Sequence, residues 1–462
     1  MKFELSNNFK ERLKVEIENQ NVKFIKSAFH EVSHVDVAEL LYEFNSLESK
    51  YVLDNIGLET SSKIISELDD DTRENFLKIY SSYEIADVLK IIDSDDGADI
   101  LLDLSSELRE EVLINIDDKI KSKNLRDLIK YDDEVAGGLM AKELVKCNID
   151  WKIKQCIDLI RKQAKNVSQI YSVYVTDSKG TLMGKVSLKD IIISKDNSKV
   201  KDIYDDFVVS VDANMNQEEV AQIMQKYDLT VLPVVNKRKK LIGRITIDDV
   251  VDVITESAEE ERQIMSGITT DVEEDDSIWK LSNARLPWLV IGILGGLFGA
   301  FFLGSFESNY FEENEVFISL SFFIPLIMAT AGNVGIQSSS IVIQTLSTPS
   351  PFEITVAERL TKVILVSILN GIVLSILVYS GLILFDYLNF LDFEIYSKTA
   401  KIVSVSLFSI VLVSSLLGTI TPIVLNKLKF NPALASGPFI TTTNDLMALA
   451  IYFIVAIAMG GI

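Results

Sequence analysis

Cysteine and histidine are almost missing from this chain, with two of each in 462 residues. Cys147 and Cys156 form no CxxC pair, so no disulfides are expected and the pattern reads as a reduced, cytosolic compartment. Both histidines fall in His30-Glu31-Val32-Ser33-His34, the spacing at which zinc peptidases hold metal beside a general base. A third ligand would have to be a carboxylate or a thiol. His34 also opens an apolar helical repeat with Asp36 as its expected N-cap, so chance spacing is the better account and no enzyme is expected. The first fourteen residues lack a continuous apolar run, and no signal peptide is expected there.

Positive charge is scarce too. The net charge is −22; beyond residue 286 there are six basic residues against ten acidic ones, so the first 286 residues carry −18. Such a surface repels nucleic acid and anionic lipid; it suits cations, or it is only well solvated.

Five apolar stretches fill the second part: 287–306, 316–346, 363–385, 402–425 and 436–462. Each reaches the roughly 20 residues that span a bilayer core. Lys280, Arg285, Arg359, Lys362, Lys427 and Lys429 lie on one side, against Lys398 and Lys401 on the other. The N-terminal half is therefore expected in the cytoplasm and the C-terminus outside. Pro325 and the run Gly332-Asn333-Val334-Gly335-Ile336-Gln337-Ser338-Ser339-Ser340 predict a broken second span, lining a water-filled path or packing small residues on a neighbour.

Asp445 is the single charged residue of the last stretch, and no other span carries an interior Lys or Arg to pair with it. A lone carboxylate at that depth costs roughly 2.5–3.5 kcal/mol. It is satisfied either by a travelling cation or, once protonated, by a hydrogen bond to a neighbouring helix. Asn333, Gln337, Thr441, Thr442 and Asn444 are the polar groups expected to line the path.

In the first part, Ser172–Asp190 repeats at an offset of 59 as Val231–Asp249: strand, turn, strand, helix, each copy preceded by an apolar-periodic helix at 153–163 or 217–227. The pattern resembles tandem CBS modules, which often bind adenine nucleotides. That resemblance implies ribose contacts from Ser187 and Asp190, with Thr246 and Asp249 as their repeat mates. Residues 34–135 show short helical repeats such as Val37-Ala38-Glu39-Leu40-Leu41, predicting a stack of helix pairs. Asp249, Asp252, Glu256 and Glu260 fall on one helical stripe, which either gains from bound divalent cations or is a solvated linker.

Taken in order, the chain resembles the MgtE family of bacterial magnesium channels and transporters. The resemblance rests on Ala136-Gly137-Gly138-Leu139-Met140, Arg285-Leu286-Pro287-Trp288, Gly332–Ser338 and Asn431-Pro432-Ala433-Leu434-Ala435-Ser436-Gly437-Pro438 leading to Asp445. It implies a mainly α membrane protein. The expected parts are an N-terminal segment (1–33), a cytoplasmic α-helical superhelix domain (34–135), α/β tandem CBS domains (136–200 and 201–254), an acidic connecting helix (255–286) and a five-helix transmembrane bundle (287–462).

The resemblance further implies Mg²⁺ import across a bacterial cell membrane by a homodimer, with Asp445 in the pore and no obligatory protein partner. Regulatory Mg²⁺ would be held by Asp95, Asp99, Asp228, Asp249, Asp252, Glu256, Glu260 and Glu261. Asn431 stands where the family has an acid, Thr255 and Ser257 where acids are common, and Ala331 where a second glycine is usual. Fewer sensor acids imply closure at higher Mg²⁺, with Glu256 and Glu259 as compensating charge. A proton- or Na⁺-coupled exporter and a membrane-bound sensor that transports nothing are the competing readings.

Overall fold

A computed structural model describes residues 7–30, 32–163, 170, 172–274, 276–310, 315–347, 355–388, 393–435 and 437–460. Glu31 and Ser436 of the motifs above, and residues 311–314, lie outside this set. The chain divides into two compact units, Met1–Ile254 and Thr255–Ile462.

The first unit opens with ten short helices: α1 (Asn7–Glu18), α2 (Val22–Ala28), α3 (His34–Leu41), α4 (Ser46–Ile56), α5 (Leu58–Ser66), α6 (Asp70–Leu77), α7 (Ser82–Leu89), α8 (Ser94–Asp103), α9 (Ser106–Asn115) and α10 (Lys119–Leu128). Their starts are written in the sequence. Asn45 with Glu48, and Ser81 with Glu84, form reciprocal capping boxes, while Asp69 and Asp118 cap α6 and α10. Each helix packs on the one two further along, α3 on α5, α5 on α7, α7 on α9, and α4 on α6, α6 on α8, α8 on α10. That is the expected superhelical stack, held by a core including Val37, Leu53, Ile65, Ile85 and Leu101. Asp36 is not an N-cap: Ser33 holds that position and Asp36 lies in the first turn of α3, where its charge favours the helix dipole.

Two three-stranded sheets follow, built alike. In the first, β1 (Val145–Asn148) runs parallel to β2 (Val173–Thr176), which pairs antiparallel with β3 (Leu182–Val186). In the second, β4 (Val211–Asp212), β5 (Val231–Val235) and β6 (Leu241–Thr246) repeat that order. Helix α11 (Ile153–Gln163) precedes β2 and α12 (Leu188–Ile193) follows β3; α13 (Gln217–Lys226) precedes β5 and α14 (Ile247–Met265) follows β6.

The repeat extends to one glycine per copy. A side chain at Gly184 would overlap the Asp205 carbonyl, and one at Gly243 would meet Met140 Sδ at 2.7 Å and the Ala141 carbonyl at 2.9 Å. In each copy an extended segment crosses that strand so closely that no Cβ fits. Helix α14 continues unbroken from the second module and stops at Met265. The predicted 255–286 helix is thus two pieces, because Gly267 adopts φ +81° and the chain restarts only at Ile278.

The second unit holds five helices long and apolar enough to cross a membrane. They are α15 (Ile278–Tyr310), the pair α16 (Glu315–Ser321) and α17 (Ile324–Ser347), α18 (Val356–Tyr387), α19 (Phe393–Lys427) and α20 (Pro438–Ala458). Helix α19 is the most enclosed; α15 and α18 turn broad apolar faces outward.

The predicted break at 332–340 is absent, since α17 runs straight through it. The interruption lies at residues 322–323, which places Pro325 in the first turn of α17, where its missing N–H costs no hydrogen bond. The small residues of 332–340 serve close helix packing instead.

One local prediction follows from the Lys50–Glu84 pair at 2.6 Å, with the ammonium 3.5 Å from the Tyr80 ring centre. The Lys50 hydrogen bond, then the Ser81 backbone bond, hold the Glu84 carboxyl down at about 2. A depressed carboxyl stabilises the fold above its unfolded value and loses that effect as pH falls toward 2. Glu84→Gln should therefore cost about 1 kcal/mol at pH 7, after discounting for solvent exposure. The difference from the parent should shrink between pH 4.5 and 2 in thermal melts.

Candidate functional site

Two polar sites emerge, one in each unit. In the second unit, α17, α19 and α20 meet through small residues. A side chain at Gly332 would sit 3.2 Å from Thr441 Cγ2 and 3.8 Å from Asp445 Oδ1, so the carboxylate lies against the bare backbone of α17. A side chain at Gly335 would overlap Asn444 Nδ2, and one at Gly418 would overlap the Gly335 carbonyl. Ser339 donates to the Ala435 carbonyl at 2.8 Å, and Tyr452 to the Leu320 carbonyl at 2.9 Å. Gly437 takes φ +53°, and the close approach of the Met265 carbonyl leaves no room there for a Cβ.

The expected lining residues separate. Asp445 is half-buried, with no hydrogen bond or ion pair among the described residues. Thr441 flanks the same glycine, and its hydroxyl proton goes to the Gly437 carbonyl at 2.9 Å. Thr442 bonds the Pro438 carbonyl at 2.8 Å and packs on Gly295 of α15. With their protons spent on the helix, both hydroxyls present acceptors only, which suits the waters of a hydrated cation. Asn333 and Gln337 are exposed one turn apart on α17. Asn444, expected to line the path, is instead fully buried on Gly335. Successive helix residues point about 100° apart, so neighbours such as Asn444 and Asp445 cannot share a face.

In the first unit, the start of α8 meets the start of α14. Burial, then the charges of Asp249 and Asp96, push the Asp95 carboxyl well up. Asp96 is raised to about 7 by burial and then by Asp249 and Asp99. Burial raises Asp249 to about 6 even though Thr246 Oγ1 donates to it at 2.6 Å. Beside this cluster stands a set of paired acids. Glu143 accepts from Ser94 Oγ at 2.6 Å and Lys121 Nζ at 3.1 Å. Burial works to raise its carboxyl, but Lys121 and Ser94 hold it below the ordinary value. Arg244 donates to the Glu143 carbonyl at 2.6 Å and lies 3.4 Å from Asp93.

Of the eight expected sensor acids, the fold thus joins Asp95 and Asp249, with Asp99 beside Asp96. It adds Asp93, Asp96 and Glu143, whose involvement depends on contacts across some 150 residues of sequence. Asp228 sits elsewhere, with φ +49°, in a cleft of about 150 Å³ between the two sheet modules. Asp252 is exposed on α14, its carboxyl raised by burial of its inner edge and by Asp248. Glu256 and Glu260 are exposed, and Glu261 half-buried, on the stretch of α14 within the second unit. No three of these acids converge as a ready-made metal cage among the described residues. Mg²⁺ does not demand one, because it keeps several waters and binds through one or two carboxylates.

Ser187 donates to Asp190 at 2.6 Å and caps α12, mirroring Thr246 and Asp249. The inter-module cleft carries Lys185 and the Tyr174 hydroxyl, which is buried without a hydrogen-bond partner. At about 150 Å³ it is small for a nucleotide. His30 and His34 do not share a helix: α2 ends at Ala28 and α3 begins at His34, whose Nε2 is 3.3 Å from Glu67. The two-histidine geometry of a zinc peptidase is not formed.

Comparison with known proteins decides the family. Residues 324–455 match the divalent cation transporter profile of MgtE, 32–134 its intracellular N domain, and 135–195 and 200–256 the CBS domain. The magnesium transporter MgtE of Bacillus subtilis is 32% identical over 338 residues, 73% of this chain and 72% of the relative. That of Thermus thermophilus is 34% identical over 331 residues, 71% of each. The chain belongs to the MgtE family of magnesium transporters. Its role is Mg²⁺ transport, and its described residues include five helices long and apolar enough to cross a membrane. The cytosolic domain of the Mg²⁺ channel MgtE, solved in complex with ATP, superposes with a TM-score of 0.50 at 28% identity, covering 53% of this chain and 99% of that one.

The contacts that form without metal are testable. Lys121 and Glu143 are each only 12% exposed. Lys121→Met should lower stability by about 3 kcal/mol by stranding a buried charge. Lys121→Arg should recover much of it; equal unfolding midpoints for parent and Met variant would show that the pair holds nothing.

Proposed function

We propose that this chain imports Mg²⁺ across a bacterial cell membrane through a pore formed by two copies, each contributing Asp445. The observation that carries this reading is the half-buried Asp445 carboxylate, set against Gly332 with no hydrogen bond or ion pair among the described residues. A two-fold axis would bring two such carboxylates together, which deepens the need for a divalent ion. Mg²⁺ gives up its waters reluctantly, so acceptor oxygens such as those of Thr441 attract the hydrated ion without stripping it. The bias of basic loops supports a cytoplasmic N-terminal half and an outward C-terminus.

Cytosolic Mg²⁺ would close the pore by binding acids of the sensor set, with Asp95 and Asp249 at its centre and Asp99, Asp252, Glu256, Glu260 and Glu261 contributing charge. The burial of Asp95 and Asp96, and after it the repulsion from Asp249 that further raises both carboxyls, supports this, since an added cation relieves the repulsion. When Mg²⁺ falls, the same repulsion favours separation, which is the two-state behaviour such a switch needs. Asp228 fits the inter-module cleft better, where with Lys185 and Tyr174 it would meet an adenine nucleotide after the cleft widens. Ser187 and Asp190 would reach the ribose only by giving up their mutual hydrogen bond.

Mg²⁺ uptake into vesicles containing the purified chain tests the pore. Asp445→Ala should reduce flux at least about a hundredfold, with no requirement for a proton or Na⁺ gradient in the parent. Unchanged flux in that variant would remove Asp445 from the path. Asn431 caps a short 3₁₀ turn at Pro432–Ala435 by accepting from Ala433 at 2.9 Å, a role an aspartate can also fill. Asn431→Asp should therefore keep the fold and lower the internal Mg²⁺ needed for half-closure by about threefold, measured in the same vesicles.

A further inference from the structure

The amide of Asn444 is fully buried, and neither its Nδ2 nor its Oδ1 has a hydrogen-bond partner. An orphaned buried amide is costly. It is pressed onto Gly335, where a β-carbon would overlap Nδ2 and lie 3.0 Å from Asn444 Cγ and 2.8 Å from Ile440 Cγ2. Behind Gly335 stands Gly418 of α19, itself too close to the Gly335 carbonyl to carry a side chain. Three helices therefore meet with no slack at this point. One turn earlier on α17, Gly332 faces Thr441 and Asp445.

We propose that Asn444 and Gly335 are positioning residues: their contact fixes the rotation of α20 about its axis and thereby aims the Asp445 carboxylate over Gly332. This rests on the reading of Asp445 as the pore carboxylate. Asn444 follows the helix 100° from Asp445, so any turn of α20 that relieves the amide swings the carboxylate off Gly332. The amide touches no ion and acts only through Asp445. Its shape, wide and flat at the tip, fills the seat over a bare glycine where a branched side chain would hold the helices apart.

The test is a double-mutant cycle in the full chain, reconstituted in vesicles, with Mg²⁺ flux and the Mg²⁺-to-Ca²⁺ flux ratio as readouts. Gly335→Ala should cut Mg²⁺ flux about tenfold and shift the flux ratio at least about threefold, because the new methyl displaces Asn444. Adding Asn444→Ala vacates the space, leaving the flexible end of Ile440 to adjust, and should bring both readouts back to within about twofold of Asn444→Ala alone. A purely structural role would lower the amount of folded protein without moving the flux ratio of what remains. An unmoved ratio in Gly335→Ala, or a double variant as impaired as Gly335→Ala, overturns the proposal. Asp445→Asn, run in parallel, separates the two ideas: if it kills flux while the cycle shows no coupling, positioning fails and the pore carboxylate stands. Should Asp445→Asn transport normally, both fall together.

Discussion

A carboxylate placed in hydrocarbon has given up most of its hydration, and everything around Asp445 is arranged about that debt. Many serine and threonine hydroxyls of the spans discharge their protons into their own helices or a neighbour, as Thr419, Thr421 and Ser339 do, whereas Ser404 and Ser406 are buried without a hydrogen-bond partner among the described residues. Tyr452 finds a carbonyl on the second span. Asp445 has no such outlet, and the bare backbone of Gly332 beside it supplies room rather than a partner. A scaffold that occupies most of its hydroxyls and leaves this carboxylate open presents the anion to whatever cation reaches it.

The soluble half obeys the opposite rule, with charge in excess and pairing rationed. Glu143 and Asp93 are tied to Lys121, Ser94 and Arg244, which join the helical stack to the second sheet module without any metal. Asp95 and Asp96 are raised by burial and then by the charge of Asp249, itself held by Thr246. The two sets differ in kind. The ion-paired acids keep the elements in register, and the clustered ones raise one another's carboxyls.

Much of this was legible beforehand because it is periodic. The 59-residue offset appears in β2 and β5, in β3 and β6, and even in the Gly184–Gly243 pair, since alternation in strands and a strict repeat are local properties. Asp445 stood out against an unbroken apolar background. The Gly332–Ser340 run was misread as a break because a sequence shows small and polar residues but not what they face. Only the neighbouring α19 and α20 make a straight helix possible there. Asn444 was grouped with Asp445 for the same reason, although a helix sends adjacent side chains to different surroundings. Asp93, Asp96 and Glu143 left no local signal, since Asp93 and Glu143 meet Arg244 and Asp96 meets Asp249, both far away in the chain.

Helix α14 leaves the second sheet module and runs 19 residues without a break across the border of the two compact units. At 1.5 Å per residue that is a rod about 28 Å long. Within such a rod, a tilt of about 10° at one end displaces the other by roughly 5 Å, comparable to one helical turn.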